Sequence, residues 1–188
     1  MATLRGLLAA GALVLAAQAT PAAAQGNLVL YCAVDEGWCR AMATTFQKET
    51  GIQVDMTRQS SGEVYARLRA EKANPRGDVW WGGTGDPHLA AAEEGLSLEY
   101  ESKNLADLTP WAKGQYEASK KRTVGIYAGA AGFGFNTEIL ARKKLAAPSS
   151  WADLLKPELK DDVQMANPNS SGTAYVIIAT LVQLMGED

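Results

Sequence analysis

Three times between residues 28 and 94 the chain passes from a short apolar run of β character, through a polar or glycine-bearing turn, into a helix-periodic stretch. Residues 28–31 (LVLY) lead into a turn holding Asp35, Glu36 and Gly37. Trp38, Met42 and Phe46 then recur on one helical face until Gly51 stops it. Ile52, Val54 and Met56 alternate with polar residues, so the period falls to two and a second strand is expected. Ser60 and Glu63 follow at capping-box spacing ahead of Val64 and Leu68, and Asn74, Pro75 and Gly77 end that helix. Residues 79–81 form a third apolar run that ends in Gly82, Gly83, Thr84 and Gly85, where Asp86 and Pro87 open another helix. A β-α-β-α-β-α order of this kind predicts a largely parallel sheet covered by helices on both faces.

Beyond this unit the pattern is more broken. Residues 96–122 are expected to hold only short helical pieces, interrupted by Pro110 and Gly114. Residues 124–127 read as a strand, and the glycine-rich AGAAGFGFN that follows reads as a crossing between two lobes. Thr137 begins a helix, Ser150 with Asp153 caps one that Pro157 disrupts, and residues 163–166 read as a last strand. Ala174, Ile177, Ile178, Leu181, Leu184 and Met185 describe the apolar face of a final helix.

The N-terminus carries Arg5, then an apolar stretch at 7–17 of about eleven residues, then Ala22, Ala23 and Ala24, the three regions of a secretory signal peptide in order. The stretch is too short to span a bilayer. Residues 1–24 are therefore expected to be removed, leaving Gln25 first. Export changes how the cysteines read, because disulfides persist outside the cytoplasm. Cys32 and Cys39, the only pair, are separated by six residues at a strand-to-helix turn, and a disulfide is expected rather than two buried thiols.

Chemistry-bearing residues gather where strands give way to helices: Ser60, Ser61 and Gly62; Gly82, Gly83 and Thr84; Ser170, Ser171, Gly172 and Thr173. Taken singly, each is explained by helix capping. Taken together they would share the carboxyl edge of a parallel sheet, where ligands bind. Unpaired helix N–H groups and hydroxyls there suit a phosphate, phosphonate, sulfate or carboxylate. Tyr31, Trp38, Trp80 and Trp81 read as core more readily than as cleft lining. His88, the sole histidine, reads as structural or solvent-facing before it reads as a base or metal ligand, and with two cysteines it makes no convincing zinc site. No G-x-S-x-G, S-x-x-K, H-E-x-x-H or Walker A motif occurs. A net charge of −3 gives no basic footprint for nucleic acid.

The leader, LVLYCAVDEGWCRAMATTFQKETGIQVDM, SSGEVYARLRAEKANPRGDVWWGGTGDPHLAAAEEGL, AGFGFNTEIL and ANPNSSGTAY together resemble the periplasmic solute-binding proteins of bacterial ABC importers. The resemblance is to the ferric-ion-binding branch that also holds phosphonate and sugar-phosphate binders. It implies a type II architecture of two α/β lobes, with lobe one at 25–130 and the crossing and an incomplete second lobe at 131–188. It also implies no catalytic residue or cofactor, a monomer, and delivery of a bound anionic solute or ferric ion to an inner-membrane permease. The family's ligand-contacting turns correspond to residues 33–36, which include Val34 and Asp35, to 60–62 and 82–84, and to a last turn that starts at Asn169 and ends at Thr173. Iron-binding members use a tyrosine pair, whereas Tyr175 is followed here by Val176. An organophosphate or phosphonate is thus expected ahead of ferric iron. The rivals are a secreted hydrolase using Asp86 and His88, and an interaction or sensor module of the same fold.

Overall fold

The computed structural model describes residues 26–187, so the expected signal peptide at 1–24 lies outside the described residues. Strands β1 (Asn27–Cys32), β2 (Gln53–Arg58) and β3 (Val79–Trp81) form one parallel sheet in the order β2-β1-β3. Leu30 at its centre is in register with Met56 on one side and Val79 on the other. Between the strands run α1 (Glu36–Thr50) and α2 (Ser61–Ala70), and α3 (Gly85–Glu93) follows β3. Gly51 ends α1 in the left-handed region at φ 74° and returns its N–H to the Gln47 carbonyl at 2.8 Å, as the sequence leads one to expect.

The central strand is apolar on both faces because both are covered. Tyr31 and Ala33, with Val29 beside them, pack against Val64 and Leu68 of α2 and against Trp80. Leu30 and Cys32 point the other way, and the Cys32–Cys39 disulfide, Cα atoms 6.1 Å apart, ties α1 to that face. The buried Tyr31 hydroxyl finds the partner such a group requires by donating to Glu71 at 2.7 Å, with Arg67 stacked 4.3 Å over its ring.

Two expected strands do not form. Residues 124–127 are pinned to α4 (Pro110–Ala118) instead of a sheet edge: Gly125 donates to the Ala112 carbonyl at 3.2 Å. Residues 163–166 run exposed, without a ladder partner among the described residues, and an apolar run becomes a strand only where a neighbour takes up its N–H and C=O groups. Pro110 does not interrupt a helix but opens α4, where its missing N–H costs nothing. Asn136 caps α5 (Thr137–Lys143), and the segment around Pro157 resolves into short 3₁₀ turns, Trp151–Leu155 and Pro157–Leu159.

Helix periodicity is right for α1 and for α6 (Gly172–Met185), yet their apolar faces are not core among the described residues. Trp38 and Met42 are each 53% exposed, and of the α6 face only Ala174 is buried.

Candidate functional site

The carboxyl ends of β1, β2 and β3 open on one edge of the sheet, and a hollow of about 230 Å³ lies there. Its lining includes Asp35, Ser60, Thr84 and Ser171, which are the N-cap residues of α1, α2, α3 and α6. Four helix N-termini therefore converge on it, each contributing N–H groups without intrahelical partners and the positive end of a helix dipole. The amides of Ser61, Gly172 and Thr173 make no hydrogen bond among the described residues. Ser61 is 4% exposed; its Oγ accepts from the Thr84 N–H at 3.2 Å, which leaves the hydroxyl proton available.

The sequence-predicted residues divide into two groups. Val34, Asp35, Ser60, Ser61 and Gly83 line the hollow, as do Thr84, Ser171, Gly172 and Thr173. Gly62, Gly82, Asn169 and Ser170 do not line it but join its walls. The Ser170 carbonyl accepts from Gly62 N at 2.9 Å and from Ser60 Oγ at 2.7 Å, which docks the start of α6 on the start of α2. That approach is close enough that a Cβ on Gly62 would stand 2.8 Å from the Ser170 oxygen. Gly172 plays the same part across the hollow, where a Cβ would lie 2.9 Å from Ser61 Oγ. Gly82 and Gly83 turn the chain at φ 80° and 99°, a path closed to most side chains. On the far side, Ser60 N donates to Glu63 Oε2 at 2.8 Å, and these hydrogen bonds to Ser60 hold the Glu63 carboxyl below its usual pKa.

Two lining residues escape sequence reasoning. Arg58 is the only side-chain cation lining the hollow among the described residues, and its Nε donates to the Val34 carbonyl at 3.3 Å. It has no carboxylate partner within the 4.0 Å of an ion pair among the described residues. A signal existed: Arg58 continues the phase of Ile52, Val54 and Met56, so a cation stands where an apolar residue is due. Tyr127, from the segment expected to be a strand, accepts from Gly83 N at 2.9 Å and donates to Gly83 O at 3.0 Å. Its ring meets Trp38 edge-on at 5.7 Å.

His88 lies behind the site. Its Nε2 is 2.9 Å from the Gly82 carbonyl, its ring stacks on Trp80 at 3.7 Å, and burial pushes its pKa below the ordinary histidine value. No hydrogen bond joins it to Asp86 among the described residues. A larger surface hollow, about 380 Å³ between residues 101–106 and α4, sets Lys103 and Lys113 against Glu101 and Glu117 and has no N-cap residue in its wall.

The chain is 41% identical over 182 residues to an uncharacterized protein of Haemophilus influenzae, a match that covers 96% of this chain and 51% of that one. The solved periplasmic binding protein P5PA superposes with a TM-score of 0.82 at 39% identity, covering 86% of this chain and 52% of that chain. The periplasmic binding protein AfuA of Actinobacillus pleuropneumoniae, solved with exogenous fructose-6-phosphate bound, gives 0.80 at 41% identity over 87% and 52%. The chain thus spans about half the length of the relatives it matches. Residues 86–188, which run from α3 through the Ser171 cap to α6, match the family described as bacterial extracellular solute-binding protein, and the chain belongs to that family.

Proposed function

We propose that this chain is the substrate-binding component of a periplasmic ABC import system and takes a small anionic solute, an organophosphate or phosphonate, into the hollow at the sheet edge. One observation carries the reading: four helix N-termini and an unpaired arginine face one cavity. Oriented amides and a guanidinium complement a tetrahedral oxyanion, and the hydroxyls of Ser61 and Thr173 add donors. The fructose-6-phosphate in the AfuA structure supports an anionic ligand of this size class.

Residues 25–130 act as one lobe, and 131–188 cross to a second that closes over the solute. Closure is a population shift, driven by contacts that exist only when both sides surround the ligand. Release to a membrane permease follows reopening. The Cys32–Cys39 disulfide suits an oxidising periplasm. A ferric ion asks for clustered oxygen acceptors, whereas this hollow is rich in donors and, among the described residues, holds one carboxylate, Asp35, which supports the anion over iron.

The test is calorimetric titration of the full-length protein with phosphate esters, phosphonates and ferric complexes. Saturable binding of the first two is expected. Absence of binding to all three refutes the assignment.

A further inference from the structure

Resting on that anion-binding reading, we infer that Tyr127 is a positioning residue for the hollow: its hydroxyl fixes the peptide between Gly83 and Thr84, and that peptide aims the Ser61 hydroxyl at the solute. Tyr127 Oη accepts from Gly83 N at 2.9 Å and donates to Gly83 O at 3.0 Å, so one side chain satisfies both backbone groups of a residue 44 positions away. Neither group has another hydrogen-bond partner among the described residues. The Gly83 carbonyl and the Thr84 N–H belong to one planar trans unit, in which they point in opposite directions. Tyr127 holds the carbonyl end, and Ser61 Oγ takes the N–H end at 3.2 Å. The unit cannot turn about its own axis without breaking both bonds.

The turn has little else to hold it. Gly82 and Gly83 lie at φ 80° and 99°, and two adjacent glycines impose no path of their own. His88 Nε2 reaches only the preceding carbonyl, that of Gly82, at 2.9 Å. The Tyr127 ring, by contrast, rests edge-on against Trp38 of α1 at 5.7 Å, which gives its hydroxyl a fixed base. What the clamp serves is Ser61, which lines the hollow at 4% exposed and lies so near Gly83 that a Cβ there would collide with its Oγ. With the Thr84 N–H occupying one lone pair, the Ser61 proton has no acceptor among the described residues. A buried donor left over in this way is matched by an oxygen of the solute. Without the clamp the peptide turns, Ser61 loses the bond that orients it, and apparent affinity falls with the fraction of molecules in which the hydroxyl still faces the solute.

The experiment compares full-length wild type, Tyr127→Phe, Ser61→Ala and the double variant, by titration with fructose 6-phosphate and 2-aminoethylphosphonate and by hydrogen exchange at the Thr84 amide. Phenylalanine keeps the ring on Trp38 and removes only the hydroxyl, and thermal melts check that each variant folds. Tyr127→Phe is expected to weaken binding of the probe that wild type takes by about three- to tenfold, and to speed exchange at Thr84 by about tenfold. Ser61→Ala is expected to weaken binding about tenfold, and adding Tyr127→Phe to it to cost less than about twofold more, because the hydroxyl that Tyr127 aims is already gone. A tyrosine that only supported the fold, or that touched the solute itself, gives losses that add. Additive losses, or unchanged Thr84 exchange in Tyr127→Phe, overturn the inference while the anion-binding assignment stands. Wild-type protein that binds neither probe strikes down that assignment, and this inference with it.

Discussion

Gly62→Ala separates an ordinary helix glycine from a joint of the site. Within a helix, glycine to alanine usually stabilises by up to about 1 kcal/mol through restricted backbone freedom. At Gly62 the sign reverses. The new Cβ would lie 2.8 Å from the Ser170 oxygen and 3.0 Å from its Cα, and it would also press on the Asn169 oxygen. All three are backbone atoms, which cannot rotate aside. Relief requires residues 167–171 to lift away, breaking the bonds from Gly62 N and Ser60 Oγ to the Ser170 carbonyl. At about 1 kcal/mol each, offset by the gain in helix propensity, and with some residual crowding, the net loss is about 1–2 kcal/mol. For a chain of this size that is roughly 2–8 °C in melting temperature. Solute affinity falls as well, because Ser171, Gly172 and Thr173 move with the loop. Gly114→Ala is the control: it lies inside α4 with nothing within 4 Å of a built Cβ, and it is expected to stabilise by about 1 kcal/mol. Urea denaturation of both variants, with calorimetry on Gly62→Ala, decides the matter. If Gly62→Ala stabilises like its control and binds solute unchanged, the docking of α6 on α2 is wrong.

Replacing Cys32 and Cys39 together by serine frees an eight-residue loop in the unfolded chain, and urea denaturation is expected to show a loss of about 2.5 kcal/mol. Arg58→Gln removes the unpaired guanidinium, and calorimetry at two salt concentrations should show an affinity for anionic solute about tenfold weaker with a shallower salt dependence; Arg58→Lys recovers part of it. His88 is held below 6.5 by burial, so the unfolded chain binds its proton more readily than the folded one. Its stabilising contribution is complete above that value and is lost as pH falls through the depressed folded pKa. Denaturation midpoints of wild type should therefore fall more between pH 7.5 and 5 than those of His88→Gln; equal slopes would show that His88 does not titrate on unfolding.

The alternating unit at 27–93 was legible because each signal in it is local: strand period, capping spacing, and glycine at a helix end. Ser60 with Glu63 and Gly51 after Thr50 needed no tertiary information. Residues 124–127 and 163–166 misled for the opposite reason, since β character is a property of a pairing and their partners are not set by their own residues. The turns that line the candidate site were legible, because helix N-caps declare themselves in sequence. The division of labour within each turn was not. Nothing local says that Gly62 faces Ser170 while its neighbour Ser61 faces the cavity, or that Tyr127 reaches Gly83.

The bond from Ser60 Oγ to the Ser170 carbonyl joins residues 110 positions apart, whereas α1 bridges β1 to β2 within a few turns of chain. Closing so large a loop costs entropy that is recovered only once both ends are formed, so contacts of this kind assemble late and slowly. A chain emerging stepwise acquires its sheet and disulfide before the walls of the cavity meet. On the proposed function, solute binding is then the last property the chain acquires, and a stalled or clipped chain can look native by its strands while holding nothing.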